Sequence, residues 1–135
     1  MAMIDRHEVM RRTTFANASL YRTPDFPEGI KLSKNRTAWD EDEMDTFLLT
    51  RPRAFQGLVL EDIEITGPVQ ALTEKQVEDY TSLSRSQINR MVRASTFPAP
   101  IKLSTRKIGF LKHELDAWLK ALPRASSKRV LEPAE

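Results

Sequence analysis

Phe26-Pro27-x-x-Ile30-Lys31-Leu32-Ser33 returns as Phe97-Pro98-x-x-Ile101-Lys102-Leu103-Ser104, an offset of 71 residues. The same offset persists downstream, where Glu43, Asp45 and Leu48 meet Glu114, Asp116 and Leu119, and Pro52-Arg53-Ala54 meets Pro123-Arg124-Ala125. Trp39 stands opposite Phe110 and Phe47 opposite Trp118. Upstream, Val9, Thr13 and Arg22 align with Val77, Thr81 and Arg90 at an offset of 68, so the second copy carries three extra residues between Arg90 and Phe97. A duplication makes each copy one supersecondary unit. The 135 residues therefore hold two small units, each of a size at which a single core is only marginally stabilising.

The second copy is the easier to read. Thr73 with Gln76 three residues on forms a capping-box pattern, and Val77, Tyr80 and Leu83 follow at helical spacing. Ser84 caps a second short helix whose apolar face is Ile88, Met91 and Val92, after a turn of helix-turn-helix length. Phe97-Pro98-Ala99-Pro100 is barred from helix by its prolines. Ile101–Ser104 and Lys107–Phe110 then read as two strands of a small hairpin around Thr105-Arg106. His113–Leu119 is an amphipathic helix burying Leu115, Trp118 and Leu119, and Pro123 ends it. The first copy repeats this order, with its second helix cut short by Pro24. The expected division is 1–54 and 72–125 for the two units, 55–71 for a linker and 126–135 for a frayed polar tail. In the linker, Gly57–Leu60 and Ile63–Thr66 look strand-like around Glu61-Asp62.

Composition excludes several function classes. There is no cysteine, hence no disulfide and no thiolate chemistry, and the two histidines, His7 and His113, lie far apart. Neither has a nucleophile with which to form a triad. No catalytic residue, cofactor or metal is expected, and the acidic run Asp40–Asp45 reads as a helix start favoured by the dipole. The apolar stretches are too short to span a membrane, which makes the cytoplasm, on the nucleoid, the default location.

Helix, turn, helix, two-stranded wing, helix is the winged helix-turn-helix order. With Thr81-Ser82-Leu83-Ser84-Arg85-Ser86, then Phe97-Pro98, Lys102-Leu103, Ile108-Gly109-Phe110 and Glu114-x-x-x-Trp118-Leu119, the second copy resembles the AlpA family of phage and prophage regulators. That family is related to excisionases and to the DNA-binding domains of MerR-type regulators. The first copy resembles a diverged member, keeping Glu8-Val9, Leu20-Tyr21-Arg22, Phe26-Pro27 and Ala38-Trp39. Both copies depart from the family at the helix turn, where Thr14 and Ser82 stand in place of glycine. The fold implied is mainly α with small β-hairpin wings, as two tandem winged helix-turn-helix units. The function implied is binding of double-stranded DNA, with the second helix in the major groove and the wing on the adjacent backbone.

Charge distribution points the same way independently. The net charge is only +2, yet Tyr80 to Lys112 contains no acid and seven cations, Arg85, Arg90, Arg93, Lys102, Arg106, Lys107 and Lys112. In the first copy Arg11, Arg12, Arg22, Lys31, Lys34 and Arg36 face only Asp25 and Glu28. Cations so placed supply most non-specific DNA affinity. The candidate recognition residues are Ser84, Arg85, Ser86, Gln87, Asn89, Arg90 and Arg93, with Asn17, Ser19, Tyr21 and Arg22 as first-copy counterparts. Arginine can fork to guanine, and glutamine or asparagine to adenine. The candidate wing residues are Lys102, Ser104, Thr105, Arg106 and Lys107, and Lys31, Ser33, Lys34, Asn35 and Arg36. Each set also has a bland reading, as a solvated helix face or a polar hairpin tip, and Arg22 and Arg90 could instead pair with acids of the third helix.

The function these features favour is a regulator or excisionase of a mobile element, built as a pseudo-dimer, with an integrase as partner and self-association on DNA as further expectations. The alternative from another class is a protein-interaction module whose basic strip is merely solvating.

Overall fold

In each unit the turn between the first two helices is fixed by one threonine. The computed structural model describes residues 2–125. In the first unit α1 (Arg6–Thr13) is capped by Asp5, whose carboxylate accepts from the Glu8 amide at 2.9 Å. In the second, α4 (Glu74–Thr81) carries the Thr73/Gln76 capping box. The Thr13 and Thr81 hydroxyls each donate back to the carbonyl four residues earlier at 2.8 Å, and accept from the amide two residues later at 3.3 Å. The next residue, Thr14 or Ser82, adopts the left-handed conformation with φ 64° or 63°, and its N–H closes the helix end. This backbone choice costs a non-glycine residue on the order of 1 kcal/mol. The threonine clasp on both sides of the turn offsets it.

The second helices are α2 (Asn17–Arg22) and α5 (Arg85–Arg93), of six and nine residues. Pro24 and the three-residue deletion account for the shorter one. The wings follow, as β2 (Ile30–Ser33) with β3 (Arg36–Asp40), and β5 (Ile101–Ser104) with β6 (Lys107–Leu111). Their two-residue tips are Lys34-Asn35 and Thr105-Arg106. Third helices α3 (Glu41–Leu49) and α6 (Lys112–Ala121) complete each unit. Two strands escaped sequence reading, β1 (Met3–Ile4) and β4 (Ala71–Leu72), which extend the sheets to the orders β1-β3-β2 and β4-β6-β5. Two residues are too few to show a period of two. Gly109 makes room for β4, since a Cβ there would lie 2.8 Å from Leu103 Cδ1 and 3.3 Å from the Leu72 carbonyl.

The aromatics found at equivalent places are all buried. Phe26 packs on Phe15 and Phe47 at centroid distances of 5.2 and 5.0 Å, and Phe97 on Phe110 and Trp118 at 5.8 and 4.7 Å.

The two units are not equivalent where they meet. Leaving α3, the chain runs antiparallel along the free edge of β5: Lys102 N–H donates to the Pro52 carbonyl at 2.8 Å and Ala54 N–H to the Pro100 carbonyl at 2.9 Å. Arg51 Nε donates to the Lys102 carbonyl at 3.0 Å. Arg53 reaches deeper, to both carboxylate oxygens of buried Glu114 at 2.8 and 2.5 Å and to the Ala99 carbonyl at 2.7 Å. Farther along, Ala99 N–H donates to the Leu58 carbonyl, and Leu58 and Leu60 pack on the second core. Ile101 and Leu103 are consequently buried in one cluster with Val9, Trp39, Phe47 and Leu48 of the first unit. Their counterparts Ile30 and Leu32 are exposed.

The strand-like runs of the linker do not pair with one another. Leu58 makes a single bridge, to Pro98, and Ile63–Thr66 forms no strand. Glu61-Asp62 offers no glycine for a tight hairpin, while the β5 edge next door offers open hydrogen-bonding groups. The expectation for the tail 126–135 lies outside the described residues.

Two expected outcomes follow from these contacts. Glu114→Ala should cost about 3 kcal/mol in urea unfolding by leaving Arg53 without its carboxylate at a partly buried site, whereas Arg53→Met with Glu114→Leu should recover most of that loss. The second concerns acid. Hydrogen bonds from Arg11 and then Arg12 hold the Glu8 carboxylate down at about 2, from an ordinary 4.5. The stability Glu8 contributes is therefore complete above about pH 4.5 and disappears as pH falls towards 2. Glu8→Gln should flatten the acid limb of a stability-versus-pH curve in that window, and an unchanged limb would contradict the assignment.

Candidate nucleic-acid interface

The N-terminal turn of α5 presents the residues singled out for base reading, and its capping geometry sorts them. Ser84 Oγ accepts from the Gln87 amide at 3.2 Å, and Gln87 Oε1 accepts from the Ser84 amide at 2.9 Å. A bidentate glutamine–adenine contact needs that same oxygen. Gln87 thus has one lone pair of that oxygen engaged in the cap, and Ser84 is first a helix cap. Arg85, Ser86 and Arg90 are exposed, and Asn89 is half-buried. Arg85 Nε lies 3.0 Å from Glu74 Oε1, a carboxylate of the α4 first turn that orients the guanidinium. Arg22, Arg90 and Arg93 enter no ion pair among the described residues, so the third-helix pairing considered for Arg22 and Arg90 does not form there.

The counterpart helix α2 starts differently. Its cap position is Ala16, which offers no side-chain acceptor, and Asn17 is exposed beside it. Tyr21 leans on Trp39 at 6.5 Å between ring centroids, yet keeps 65% of its surface exposed. A groove beside it is lined by Arg6, His7, Asn35 and Arg36, so Tyr21 borders the tip of the first wing. On the other flank of α2 the second unit's wing arrives. Ser19 and Arg22 face Lys102, Ser104, Thr105 and Arg106 across a groove of about 690 Å³, with Arg51 in its wall. Four cations line this groove against one acid, Asp25, which Arg51 meets loosely at 3.7 Å. One strip therefore runs from the first wing over α2 to the second wing, contributed by both halves of the chain.

Lys31, Ser33 and Lys34 are also exposed on the first wing, and Lys107 is half-buried beside the tip of the second. Helix α5 lines neither groove. Arg51 was not among the residues picked from sequence. Its repeat counterpart is Leu122, so comparing the copies hides it. The acids gather elsewhere: Glu41, Asp42 and Glu43 occupy the first turn of α3, and Glu114 is buried under Arg53. Among the described residues no cluster of acidic or histidine side chains could hold a metal ion, and no helix is long and apolar enough to cross a membrane.

Comparison with known proteins agrees with this architecture. Residues 70–123 match the family model described as prophage CP4-57 regulatory protein (AlpA). No curated protein and no solved structure matches the chain significantly. The match begins beside β4 and ends just past α6, so it covers one complete winged unit. The first unit repeats the same helix and hairpin order, consistent with duplication. Residues 70–123 are thus an AlpA prophage regulator domain, preceded in the same chain by a second winged helix-turn-helix unit of like construction.

Proposed function

We propose that the chain is a sequence-specific, double-stranded-DNA-binding regulator of a phage or other mobile element, with both units on one stretch of duplex. The observation that carries this reading is the groove in which α2 of the first unit and the wing of the second put Arg22, Arg51, Lys102 and Arg106 together. Four cations from two units gathered in one groove against a single acid, Asp25, match a phosphate backbone. The α5 helix supplies base contacts, chiefly through Arg85, Ser86 and Asn89, because Ser84 and Gln87 are engaged in capping. The ion pair with Glu74 restricts Arg85, which lowers the conformational entropy lost on binding. The first unit contributes mainly phosphate contacts. An excisionase role, in which the protein shapes attachment-site DNA for an integrase, uses the same surface and needs no catalytic group.

Binding to a preferred site and to random duplex, each measured over a range of salt, tests these roles. Arg85→Ala should weaken the preferred site by about 1–3 kcal/mol and leave random DNA nearly unchanged. Arg22→Ala and Arg106→Ala should weaken both targets alike, each lowering the salt slope by roughly one unit. Absence of salt-dependent duplex binding by the intact chain would favour a protein-interaction module instead.

A further inference from the structure

The strap that joins the units has a second, unused counterpart. In the second unit, residues 52–60 lie along the β5 edge and over Pro98–Pro100, with Arg53 on Glu114. Among the described residues the equivalent site on the first unit is open. There a groove of about 770 Å³ is bounded by Pro27, Gly29, Ile30, Glu43 and Phe47, the counterparts of Pro98, Pro100, Ile101, Glu114 and Trp118. Ile30 and Leu32 are exposed on the uncovered wing strand. Glu43 is exposed and, among the described residues, has no arginine like the one its counterpart Glu114 holds.

The end of the sequence repeats the strap itself. Pro52-Arg53-Ala54 is matched by Pro123-Arg124-Ala125, and at the same offset Val59-Leu60-Glu61 is matched by Val130-Leu131-Glu132, with Glu64 meeting Glu135. The differences between the two segments follow the groove. Asp25, Glu28, Asp40, Asp42 and Glu43 make the first-unit groove acidic, with Arg51 its one cation. Between Pro123 and Leu131 the tail carries Arg124, Lys128 and Arg129 and no acid. Gly57 lies against Ala99, where a Cβ would come within 3.4 Å of the Ala99 Cβ. Lys128 replaces Gly57 in the tail, and Glu28 replaces Ala99 in the groove. At this contact a new cation on one side is answered by a new acid on the other.

We propose that residues 123–131 of one copy of the chain dock in the first-unit groove of another, with Arg124 on Glu43, so that copies join head to tail. The internal strap leaves the end of α3 and lands on the next unit in series, not on its own. The same connection leaving α6 lands on the first unit of a following chain. The contact joins two different surfaces and so propagates unless its rotation closes a ring. Arranged this way, each added copy extends the strip of wings and second helices along a duplex.

Sedimentation of the full chain without DNA, over a range of concentrations, tests this. Wild type should shift from monomer to larger species as concentration rises. Arg124→Glu and Glu43→Arg should each weaken that association by roughly tenfold to a hundredfold, and the two changes together should restore it. Both positions are exposed in the chain, so the folds should survive, with circular dichroism as the check. A wild type that stays monomeric throughout would overturn the proposal. So would single variants that associate like wild type, or a monomer in which the two charge reversals rescue each other only in unfolding stability, which would place the tail in its own chain's groove.

Discussion

Arg53 ties the two halves of this protein together. Its guanidinium bonds Glu114 through both oxygens and the Ala99 carbonyl besides, at the point where the chain passes from one unit to the next. Alone, a partly buried ion pair is weak evidence of stability. Here it anchors a strap that also supplies backbone partners to both sides of Ile101 and lets Ile101 and Leu103 enter the shared core. Two fully buried aliphatic side chains are worth about 1.5–3 kcal/mol each, and net hydrogen bonds about 1 kcal/mol each. Apolar burial and the strap's hydrogen bonds therefore contribute on the same scale. Neither small unit holds that apolar surface by itself.

The surface proposed to meet DNA depends on this seam. Packing the second wing against the first unit brings Arg106 and Lys102 opposite Arg22 and Ser19. The relation between the units is set by backbone hydrogen bonds and a buried cluster rather than by a free tether. A rigid pair of units presents its cations in one arrangement, so in the proposed DNA complex contacts made by one unit would need no further ordering of the other.

Much of each unit is legible in the sequence because its signals are local. Thr73 with Gln76, Ser84 with Gln87, the prolines after Phe26 and Phe97 and the two-residue wing tips each act within a few residues. The seam is not legible for the opposite reason. Ile-Lys-Leu-Ser stands at 30–33 and at 101–104, exposed in the first place and with both aliphatic residues buried in the second. Identical tetrapeptides with opposite burial cannot be told apart by periodicity; what differs is the strap that reaches only one of them. At Gln87 the capping box that starts α5 also engages the side-chain oxygen, a contact the residue type alone does not reveal.

The shared core should make the two units unfold as one body, and the chain carries a reporter in each. Trp39 is buried in the first unit and Trp118 in the second. Trp118→Phe leaves the first reporter and Trp39→Phe the second. Their fluorescence transitions in urea should each coincide with loss of helix measured by circular dichroism on the same variant. A tryptophan signal that changes at a urea concentration separated from the helix transition, in either variant, would show two independently folding units and contradict the shared core.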